Sequence, residues 1–377
     1  MAPPRPSSVL LAGGGTAGHV SPLLALADAL RRRDPDVEVT ALGTQAGLEA
    51  RLVPARGYPL AFVPKVAMPR RPTGALLRLP GSLRAAVAAA GRAIDESGAQ
   101  VVVGFGGYVS TPAYLAARRR RLPIVVHEQN STAGLANRVG ARLTPYVATT
   151  FPRTQLAHAR VLGMPLRREI STLDRPALRA EAMAAFALDP SLPTLLVTGG
   201  SLGAQRLNDA FAAQATTLRR AGLQVLHVTG RGKEPTAGVP GQDSGGAPYV
   251  VVPYVDRMEL AYAAADLVVC RSGANTVCEL TAVGLPAVYV PLPIGNGEQR
   301  LNAEQVVEVG GGLVVDDADL TPQWVATVLL ALATDRARLD RMAKAAATVG
   351  VRGADEALAD LVEEAFARGA GATGRAS

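Results

Sequence analysis

The chain has 377 residues, a formal net charge of +7 and a composition that is 48% hydrophobic and 19% charged. This length exceeds one ordinary core and this composition excludes a disordered chain, so we expect two globular domains. The basic balance favours an anionic partner, but an aromatic content of 4% argues against nucleic acid, whose single strands bind to aromatic stacking surfaces.

Short apolar runs, each followed by a helix-like segment, recur along the chain. They are Val9–Ala12, Val37–Leu42, Val101–Val103, Ile124–Val126, Leu195–Thr198, Val225–Val228, Leu267–Cys270 and Ala287–Val290. Runs this apolar are typical of parallel strands that helices cover on both faces. Their alternation with helices predicts doubly wound α/β units.

The strand–helix pattern restarts midway, at Leu195–Thr198. The preceding stretch, Gly163–Pro193, contains little strand signal and several prolines, which indicates a linker. We therefore expect two Rossmann-like domains, residues 1–166 and 167–351. We expect a C-terminal helix at about 352–370 to pack back on the first domain.

The cysteines and the apolar runs bear on localisation. Cys270 ends an apolar run and Cys278 lies in the next helical segment, so both are predicted to be buried free thiols. Two free thiols without a disulfide framework favour a cytosolic protein. The N-terminus lacks the apolar segment and cleavage pattern of a signal peptide. No stretch approaches about 18 uninterrupted apolar residues, so we expect any membrane contact to be peripheral.

Three strand-to-helix turns are rich in glycine: Gly13–His19, Gly104–Tyr108 and Gly199–Ala204. Glycine lets a backbone turn sharply and approach a ligand closely. The helix that follows directs its first N–H groups and its positive dipole end towards that ligand. One such loop is equally compatible with a tight turn, but three favour binding of an anion or another polar ligand.

The first loop must be weighed as a dinucleotide site, because Gly13, Gly15 and Gly18 satisfy G-x-G-x-x-G. That pattern requires an acidic residue at the end of the second strand to bind the ribose. The second run ends Ala41-Leu42-Gly43-Thr44, with no carboxylate. The nicotinamide-dinucleotide interpretation is therefore rejected.

Arg271–Glu279 is the most informative segment, because it follows an apolar run and begins a helix. Its Ser-Gly-Ala turn exposes backbone N–H groups, and Glu279 lies about one turn further, where a carboxylate can accept both hydroxyls of a ribose. The alternative is an N-capped helix whose first turn carries a favourable glutamate. The polar loop Gly295–Ala303 supplies amide and carboxylate groups suited to sugar hydroxyls.

Six motifs occur in order between Val9 and Ala303. They are Gly13–His19, Gly106–Tyr108, His127–Asn130, Gly199–Ala204, Ser272–Glu279 and Glu298–Ala303. Together they resemble the MurG family, the UDP-N-acetylglucosamine:undecaprenyl-diphospho-muramoylpentapeptide N-acetylglucosaminyltransferases. The resemblance implies a GT-B fold, α/β with two Rossmann-like domains whose parallel sheets face across a cleft. It also implies an inverting transfer of N-acetylglucosamine (GlcNAc) from UDP-GlcNAc to the lipid-linked muramoyl pentapeptide (lipid I).

The resemblance assigns expected substrate contacts by motif position. Around the UDP it implies Ala274, Asn275, Thr276, Val277, Cys278 and Glu279, with Glu279 on the ribose and Val255 beside the uracil. Ser201 and Arg167 are expected near the diphosphate, and Thr16, Ala17, Gly18 and Asn130 near the donor. Glu298, Gln299 and Asn302 are expected on the sugar, and Tyr108 and His127 are further substrate-binding candidates. The chain departs from the family at Ala17, often glycine, and at Glu298, commonly glutamine.

An inverting transfer requires a base that removes the proton of the acceptor hydroxyl. His19 ends the first glycine loop, and an imidazole titrates near neutrality, so His19 is the expected base. A role in capping the helix or positioning the donor stays open. His127 and Glu128 follow a strand, where functional groups of α/β proteins gather; they are predicted to orient the acceptor or share the proton, and a structural role is equally open.

Two Asp-x-Asp pairs, Asp34–Asp36 and Asp317–Asp319, fit the letters of a metal site, but neither adjoins a glycine loop. We therefore expect no metal and no cofactor, with helix dipoles and Arg167 stabilising the leaving group.

The segment Lys65–Arg84 mixes leucines with arginines and, extended by Arg118–Arg121, suits an anionic membrane surface; a solvated face is the alternative. Given the lipid acceptor, we expect peripheral attachment to the cytoplasmic side of the cell membrane, with proteins of cell-wall synthesis as partners.

The rival functions are a GT-B glycosyltransferase with another lipid or natural-product acceptor, a non-catalytic sugar-nucleotide-binding protein, and a nucleotide-sugar epimerase.

Overall fold

The computed structural model describes residues 4–66, 75–200, 203–236, 238–239, 245–294 and 296–373. The chain divides into two compact units. Unit 1 consists of Met1–Arg167 and Gly353–Ser377, and unit 2 of Arg168–Arg352. Each boundary lies one residue beyond the expected position.

Unit 1 contains a seven-stranded parallel sheet with the order β3-β2-β1-β4-β5-β6-β7. Its strands are β1 (Ser8–Ala12), β2 (Glu38–Gly43), β3 (Leu60–Phe62), β4 (Val101–Gly104), β5 (Ile124–Glu128), β6 (Tyr146–Thr149) and β7 (Ala159–Val161). Its first helices are α1 (Ala17–Arg33), α2 (Glu49–Ala55), α3 (Ala75–Ser97), α4 (Gly107–Arg119) and α5 (Leu135–Gly140). Because β1, β4 and β5 are parallel neighbours, their following turns meet at one edge of the sheet.

Unit 2 contains a six-stranded parallel sheet with the order β10-β9-β8-β11-β12-β13. Its strands are β8 (Thr194–Thr198), β9 (Gln224–Val228), β10 (Tyr249–Val252), β11 (Leu267–Cys270), β12 (Ala287–Tyr289) and β13 (Gly312–Val314). Its helices are α6 (Arg168–Ser171), α7 (Arg175–Ala185), α8 (Gln205–Ala212), α9 (Ala215–Arg220), α10 (Met258–Ala264), α11 (Ala274–Ala282), α12 (Glu298–Glu308), α13 (Pro322–Trp324), α14 (Leu330–Thr334) and α15 (Arg336–Thr348). A π-helical turn, Val325–Leu329, joins α13 to α14.

The last helix, α16 (Ala354–Thr373), belongs to unit 1 and packs against α1. Its buried Leu358 and Val362 join the core that covers one face of the unit 1 sheet. At the end of α1, Arg32 and Arg33 both donate to Glu356 of α16, at 2.6 and 2.7 Å. Apolar burial and these charge-assisted bonds together fix the C-terminal helix on the first unit.

The predicted α/β fold class is confirmed, and each of the eight predicted strands is present. The interpretation of Gly163–Pro193 as a linker is wrong in part, because this stretch contains α6 and α7. Helix α7 begins with Asp174 at its N-cap, whose side chain accepts from the Ala177 N–H, and proline at its second position; both are ordinary helix-start signals. Among the described residues, no helix is long and apolar enough to cross a membrane.

Candidate active site

The turn between β1 and α1 orients the expected base, His19. The Nδ1 atom of His19 lies 3.0 Å from the carbonyl oxygen of Gly14 and 3.1 Å from the hydroxyl oxygen of Thr16. A carbonyl oxygen can only accept, so this contact assigns the ring proton to Nδ1 and the basic lone pair to Nε2. The geometry therefore defines which nitrogen of His19 can remove a proton.

A second glycine turn approaches the same ring. Gly106 and Gly107 follow β4 with φ angles of 91° and 76°. A Cβ atom on Gly106 would lie 3.2 Å from His19 Nε2, and one on Gly107 would lie 2.8 Å from the Gly14 carbonyl oxygen. Only glycine allows both the left-handed backbone and this close approach. The two turns thus pack against each other around the imidazole.

A buried carboxylate, Glu49 at the start of α2, lies beneath the first turn. It is fully buried, and its two oxygens accept from the Gly15 N–H, the Thr44 N–H and the Thr44 hydroxyl, each at 2.8 Å. Burial raises the pKa of this carboxyl group, but the hydrogen bonds from Gly15 and Thr44 outweigh burial and the pKa falls below its ordinary value. Glu49 is therefore an ionised brace of the loop that carries His19, and sequence reasoning missed it.

One backbone donor in each glycine turn of unit 1 already binds a protein oxygen, and the expectation that these turns bind an anion or another polar ligand stays a prediction. The Gly15 N–H donates to Glu49, and the Gly106 N–H donates to the Ser110 hydroxyl at 2.9 Å. Backbone donors that already bind protein oxygens do not cradle a phosphate. Close packing explains the glycines at Gly14, Gly106 and Gly107, where a Cβ atom would lie 2.4–3.2 Å from another atom. The first residues of α1, Ala17 and Gly18, are half-buried, and Thr16 is exposed at its N-cap.

His127 and Glu128, at the end of β5, form a buried structural network. His127 is fully buried; its Nε2 lies 3.0 Å from the Gly163 carbonyl oxygen and its Nδ1 lies 3.1 Å from the amide nitrogen of Gln129. Burial lowers the pKa of His127 to about 4. The ring is therefore neutral at pH 7 and packed inside unit 1, and its expected contact with substrate stays a prediction.

Glu128 is 2% exposed, and its carboxylate accepts from the N–H groups of Asn130 and Gly134 and from the amide of Asn137, at 2.9–3.0 Å. Asn137 also accepts from the Tyr114 hydroxyl at 2.8 Å. A carboxylate enclosed in this way shapes the following loop, and its expected catalytic role stays a prediction. Asn130 itself is half-buried in that loop, which leaves its predicted donor contact untested.

In unit 2, the turn between β8 and α8 has a different environment. The Gly200 N–H donates to the Thr198 hydroxyl at 3.2 Å, and a Cβ atom on Gly203 would lie 2.4 Å from the Thr229 carbonyl oxygen and 3.1 Å from Cγ of Lys233. The stem of Lys233 therefore runs beside this turn, and the lysine is exposed. Ser201, the expected diphosphate contact, lies outside the described residues.

The segment Arg271–Glu279 forms the turn after β11 and most of α11, as predicted. Ala274 and Val277 are buried, while Asn275, Thr276, Cys278 and Glu279 are half-buried. Glu279 accepts a 2.7 Å hydrogen bond at Oε2 from the hydroxyl of Tyr262 in α10. Tyr262 carries no motif of its own, and only the fold shows its contact with Glu279.

The second Asp-x-Asp pair is engaged with arginines. Asp317 forms ion pairs with Arg271 at 2.6 Å and with Arg206 at 3.6 Å. Arg271 also donates to the carbonyl oxygens of Val290 and Pro291, so the pair joins the turn after β11 to the turn after β12. Among the described residues, no group of three His, Cys, Asp or Glu side chains is placed to bind a metal ion.

The residues expected on the sugar lie in the first two turns of α12. Glu298 is half-buried; Gln299 accepts from the Leu292 N–H at 3.0 Å; Asn302 is 1% exposed and donates to the Ser272 carbonyl oxygen at 3.4 Å. Asn302 thus joins α12 to the turn after β11, and its expected contact with the sugar stays a prediction. Val255 is nearly buried at 9% exposure, and Arg167 is half-buried at the end of unit 1.

Two family models match the chain: the glycosyltransferase family 28 N-terminal domain over residues 9–149, and the glycosyltransferase family 28 C-terminal domain over residues 194–358. The chain belongs to glycosyltransferase family 28. The UDP-N-acetylglucosamine--N-acetylmuramyl-(pentapeptide) pyrophosphoryl-undecaprenol N-acetylglucosamine transferase of Streptomyces avermitilis is 58% identical over 361 residues, which are 95% of this chain and 98% of that protein. The protein of the same name from a Nocardioides species is 59% identical over 358 residues, 94% and 97% of the two chains.

Solved structures agree with this family assignment. The MurG of Acinetobacter baumannii matches with a TM-score of 0.77 and 29% identity, over 96% of this chain and 100% of that one. The calicheamicin glycosyltransferase CalG4 matches with a TM-score of 0.68 and 20% identity, over 97% and 99%; this likeness shows the fold alone. The resemblance to the MurG family is confirmed, and this family 28 member is an N-acetylglucosaminyltransferase.

Proposed function

We propose that the chain transfers GlcNAc from UDP-GlcNAc to the C4 hydroxyl of N-acetylmuramic acid in undecaprenyl-diphospho-MurNAc-pentapeptide, lipid I, and so makes lipid II for peptidoglycan. The observation that carries the proposal is the 58% identity, over 95% of the chain, to a protein named for this transfer. The orientation of His19 supports it, because a base is what an inverting transfer requires.

In the proposed reaction the acceptor oxygen attacks the anomeric carbon of GlcNAc from the face opposite the diphosphate. Nε2 of His19 takes the hydroxyl proton, and the bond between the anomeric carbon and the diphosphate oxygen breaks with its electron pair leaving on UDP. The proton on Nδ1, donated to the Gly14 carbonyl, stabilises the imidazolium that forms. Nε2 is therefore the atom at which we assign proton removal.

The donor-binding residues are assigned to unit 2. The N-terminus of α11 directs backbone N–H groups outward, and its positive dipole end favours the charge of a diphosphate. Glu279 offers a half-buried carboxylate for the ribose hydroxyls, and the nearly buried Val255 is the apolar residue that we assign beside the base. The exposed ammonium of Lys233 lies beside the glycine turn after β8 and supplies further positive charge near that turn.

A lipid acceptor requires access to a membrane, and we assign peripheral contact to the C-terminal edge of the unit 1 sheet. Phe62, Tyr108 and Leu135 are exposed there at 44%, 46% and 61%, and Nζ of Lys65 lies 5.6 Å from the centre of the Tyr108 ring. Apolar side chains beside cations favour an anionic cytoplasmic leaflet. Met68, Arg70 and Arg71 of the predicted membrane segment lie outside the described residues.

The test measures UDP release from UDP-GlcNAc, with and without a lipid I analogue, together with product identification by mass spectrometry. We expect acceptor-dependent release, a fall in kcat of about 10²- to 10⁴-fold for His19→Ala, and a rise in KM for the donor for Glu279→Ala. His158→Asn is the control, because His158 is exposed with φ 61° and asparagine tolerates that backbone. Release with a different acceptor only, or with none, would contradict the lipid I assignment and favour a rival glycosyltransferase or a binding protein.

A further inference from the structure

The carboxylate of Glu279 is oriented by a buried phenol on another helix. The Tyr262 hydroxyl donates to Glu279 Oε2 at 2.7 Å, and Tyr262 is 2% exposed. A hydrogen bond from a neutral donor to an ionised carboxylate is shorter and stronger than one between neutral groups. This bond joins α10 to the second turn of α11, within unit 2.

The position of Tyr262 is itself fixed by an arginine. Arg175, the first residue of α7, donates through Nε to the Tyr262 carbonyl oxygen at 3.0 Å, and it also donates to the carbonyl oxygens of Ala265 and Gly284. Burial lowers the pKa of Arg175 to about 10, which leaves the guanidinium charged at pH 7. These bonds cover carbonyls at the ends of α10 and α11, so the backbone that carries the phenol and the helix that carries Glu279 share one anchor.

We propose that Tyr262 is a positioning residue that makes Glu279 selective for a ribonucleotide over a 2′-deoxyribonucleotide. This inference rests on the proposed role of Glu279 in binding the donor ribose. The bond from the phenol to Oε2 fixes the orientation of the carboxylate, and we propose that in this orientation its oxygens accept from the 2′ and 3′ hydroxyls together. A site built in this way rejects an analogue that lacks one hydroxyl, because an acceptor is then left unpaired.

The experiment measures Kd for UDP and for 2′-deoxyuridine diphosphate by calorimetry with the full-length chain. The variants are Tyr262→Phe, Glu279→Ala and a matched control, Tyr249→Phe. Tyr249 is also a buried tyrosine of unit 2, and its hydroxyl lies 2.9 Å from Nδ1 of His227 in the sheet. Each phenylalanine variant removes one oxygen atom and leaves the ring in place.

We expect Tyr262→Phe to weaken UDP binding about tenfold, the value of one charge-assisted hydrogen bond, and to weaken the deoxynucleotide less. The selectivity ratio, Kd for 2′-deoxyuridine diphosphate divided by Kd for UDP, therefore falls towards the ratio that we expect for Glu279→Ala. The donor KM rises in the same proportion while kcat at saturating donor changes less than about twofold, since the phenol acts on binding alone. Tyr249→Phe leaves the ratio of the two Kd values at the wild-type level.

Three outcomes separate this inference from the proposed function. If Glu279→Ala lowers the ratio and Tyr262→Phe does not, the role of Tyr262 is refuted and the ribose assignment of Glu279 stands. If Tyr262→Phe weakens both nucleotides equally, the phenol is only structural and the inference is again refuted. If Glu279→Ala leaves UDP binding unchanged, the proposed donor site itself fails, and the inference fails with it.

Discussion

The glycine turn after β1 in unit 1 and the glycine turn after β8 in unit 2 follow equivalent strands but have opposite electrostatic surroundings. Beneath the first, the ionised Glu49 carboxylate accepts the Gly15 N–H at 2.8 Å. Beside the second, the stem of Lys233 runs along Gly203. A fixed negative charge repels a diphosphate, whereas a nearby ammonium attracts one.

A glycine turn at the end of a parallel strand therefore does not by itself define a phosphate site. In the first turn the Gly15 N–H donates to an internal carboxylate, and the His19 ring has a fixed tautomer. The second lies beside a cation and is followed by α8, whose N-terminus adds a positive dipole end. We therefore assign proton transfer to unit 1 and donor anion binding to unit 2.

Among the tests of this comparison, the largest expected effect follows removal of the charge on Glu49. Glu49→Gln replaces one carboxylate oxygen with an amide NH₂ group, which can only donate. This group then faces the N–H of Gly15 or Thr44, so a buried donor is left without an acceptor. We expect kcat to fall about 100-fold, comparable to the loss of part of a general-base contribution. UDP affinity should change less than about threefold, because the proposed nucleotide site lies in unit 2. Steady-state kinetics and calorimetry check this split.

Hydrogen–deuterium exchange supplies the structural readout for Glu49→Gln. Protection should decrease in peptides that contain Gly15 and Thr44, whose amides the carboxylate accepts. Glu38→Gln is the control, because Glu38 is exposed at the start of β2. Unchanged exchange at Gly15, or equal loss in both variants, would contradict the role of Glu49 as a brace.

The next effect tests the contact between the two glycine turns of unit 1. Gly107→Ala places a methyl group 2.8 Å from the Gly14 carbonyl oxygen, which also orients His19. Gly57→Ala is the matched variant, since Gly57 has φ 80° and nothing within 4 Å of its Cβ position. Both variants should lose about 1–2 kcal/mol of folding stability, because alanine disfavours the left-handed backbone. Only Gly107→Ala should lower kcat, by about tenfold, because the Gly14 carbonyl must move. Equal kcat values would show that His19 does not depend on this packing.

Sequence patterns predicted the central strands but missed β3, β7, β10 and β13, which lie at the sheet edges, and β6, which lies beside one. The eight predicted runs are strands because apolar burial on both faces dominates their sequence. β3 and β7 lie at the edges of the unit 1 sheet, and β7, Ala159–Val161, is exposed along its length. An edge strand of three residues with arginine at its centre has no apolar run to detect, because neighbouring strands supply its backbone bonds.

The motifs predicted which loops carry function, but not which residues brace them. Glu49 contacts Gly15 across 34 positions, and Tyr262 contacts Glu279 across 17. A single glutamate at a helix start is typical of a dipole effect, and a single tyrosine is typical of a core, so neither has a local signature. The packing around Glu49 does leave a trace in the sequence. Gly14, Gly43 and Gly47 surround its side chain, and a Cβ atom at any of these three positions would lie 2.1–2.4 Å from a Glu49 atom.

A smaller effect concerns acid stability. The folded-state pKa of Glu49 lies below its ordinary value of 4.5, so its ionisation stabilises the fold fully above the unfolded-state pKa. This contribution is lost as pH falls through the lowered, folded-state pKa. Exchange protection around Gly15 should therefore decline below about pH 4.5 in the wild type and should be flatter with pH in Glu49→Gln. Identical pH profiles for the two proteins would contradict an ionised Glu49.

The smallest effect sharpens the electrostatic side of the comparison. Lys233 and Lys344 are both exposed lysines of unit 2, but only Lys233 runs beside the glycine turn after β8, whereas Lys344 lies in α15. Lys233→Met should raise Kd for UDP about threefold at low ionic strength, as expected for one exposed charge near an anion. The difference should vanish near 1 M salt, where the screening length is about 3 Å. Lys344→Met should leave Kd unchanged at both salt concentrations. The charge of Lys233 does not attract the anion if the two variants behave alike, or if the effect of Lys233→Met persists in high salt. The assignment of the anion to this turn would then rest on the helix N-termini alone.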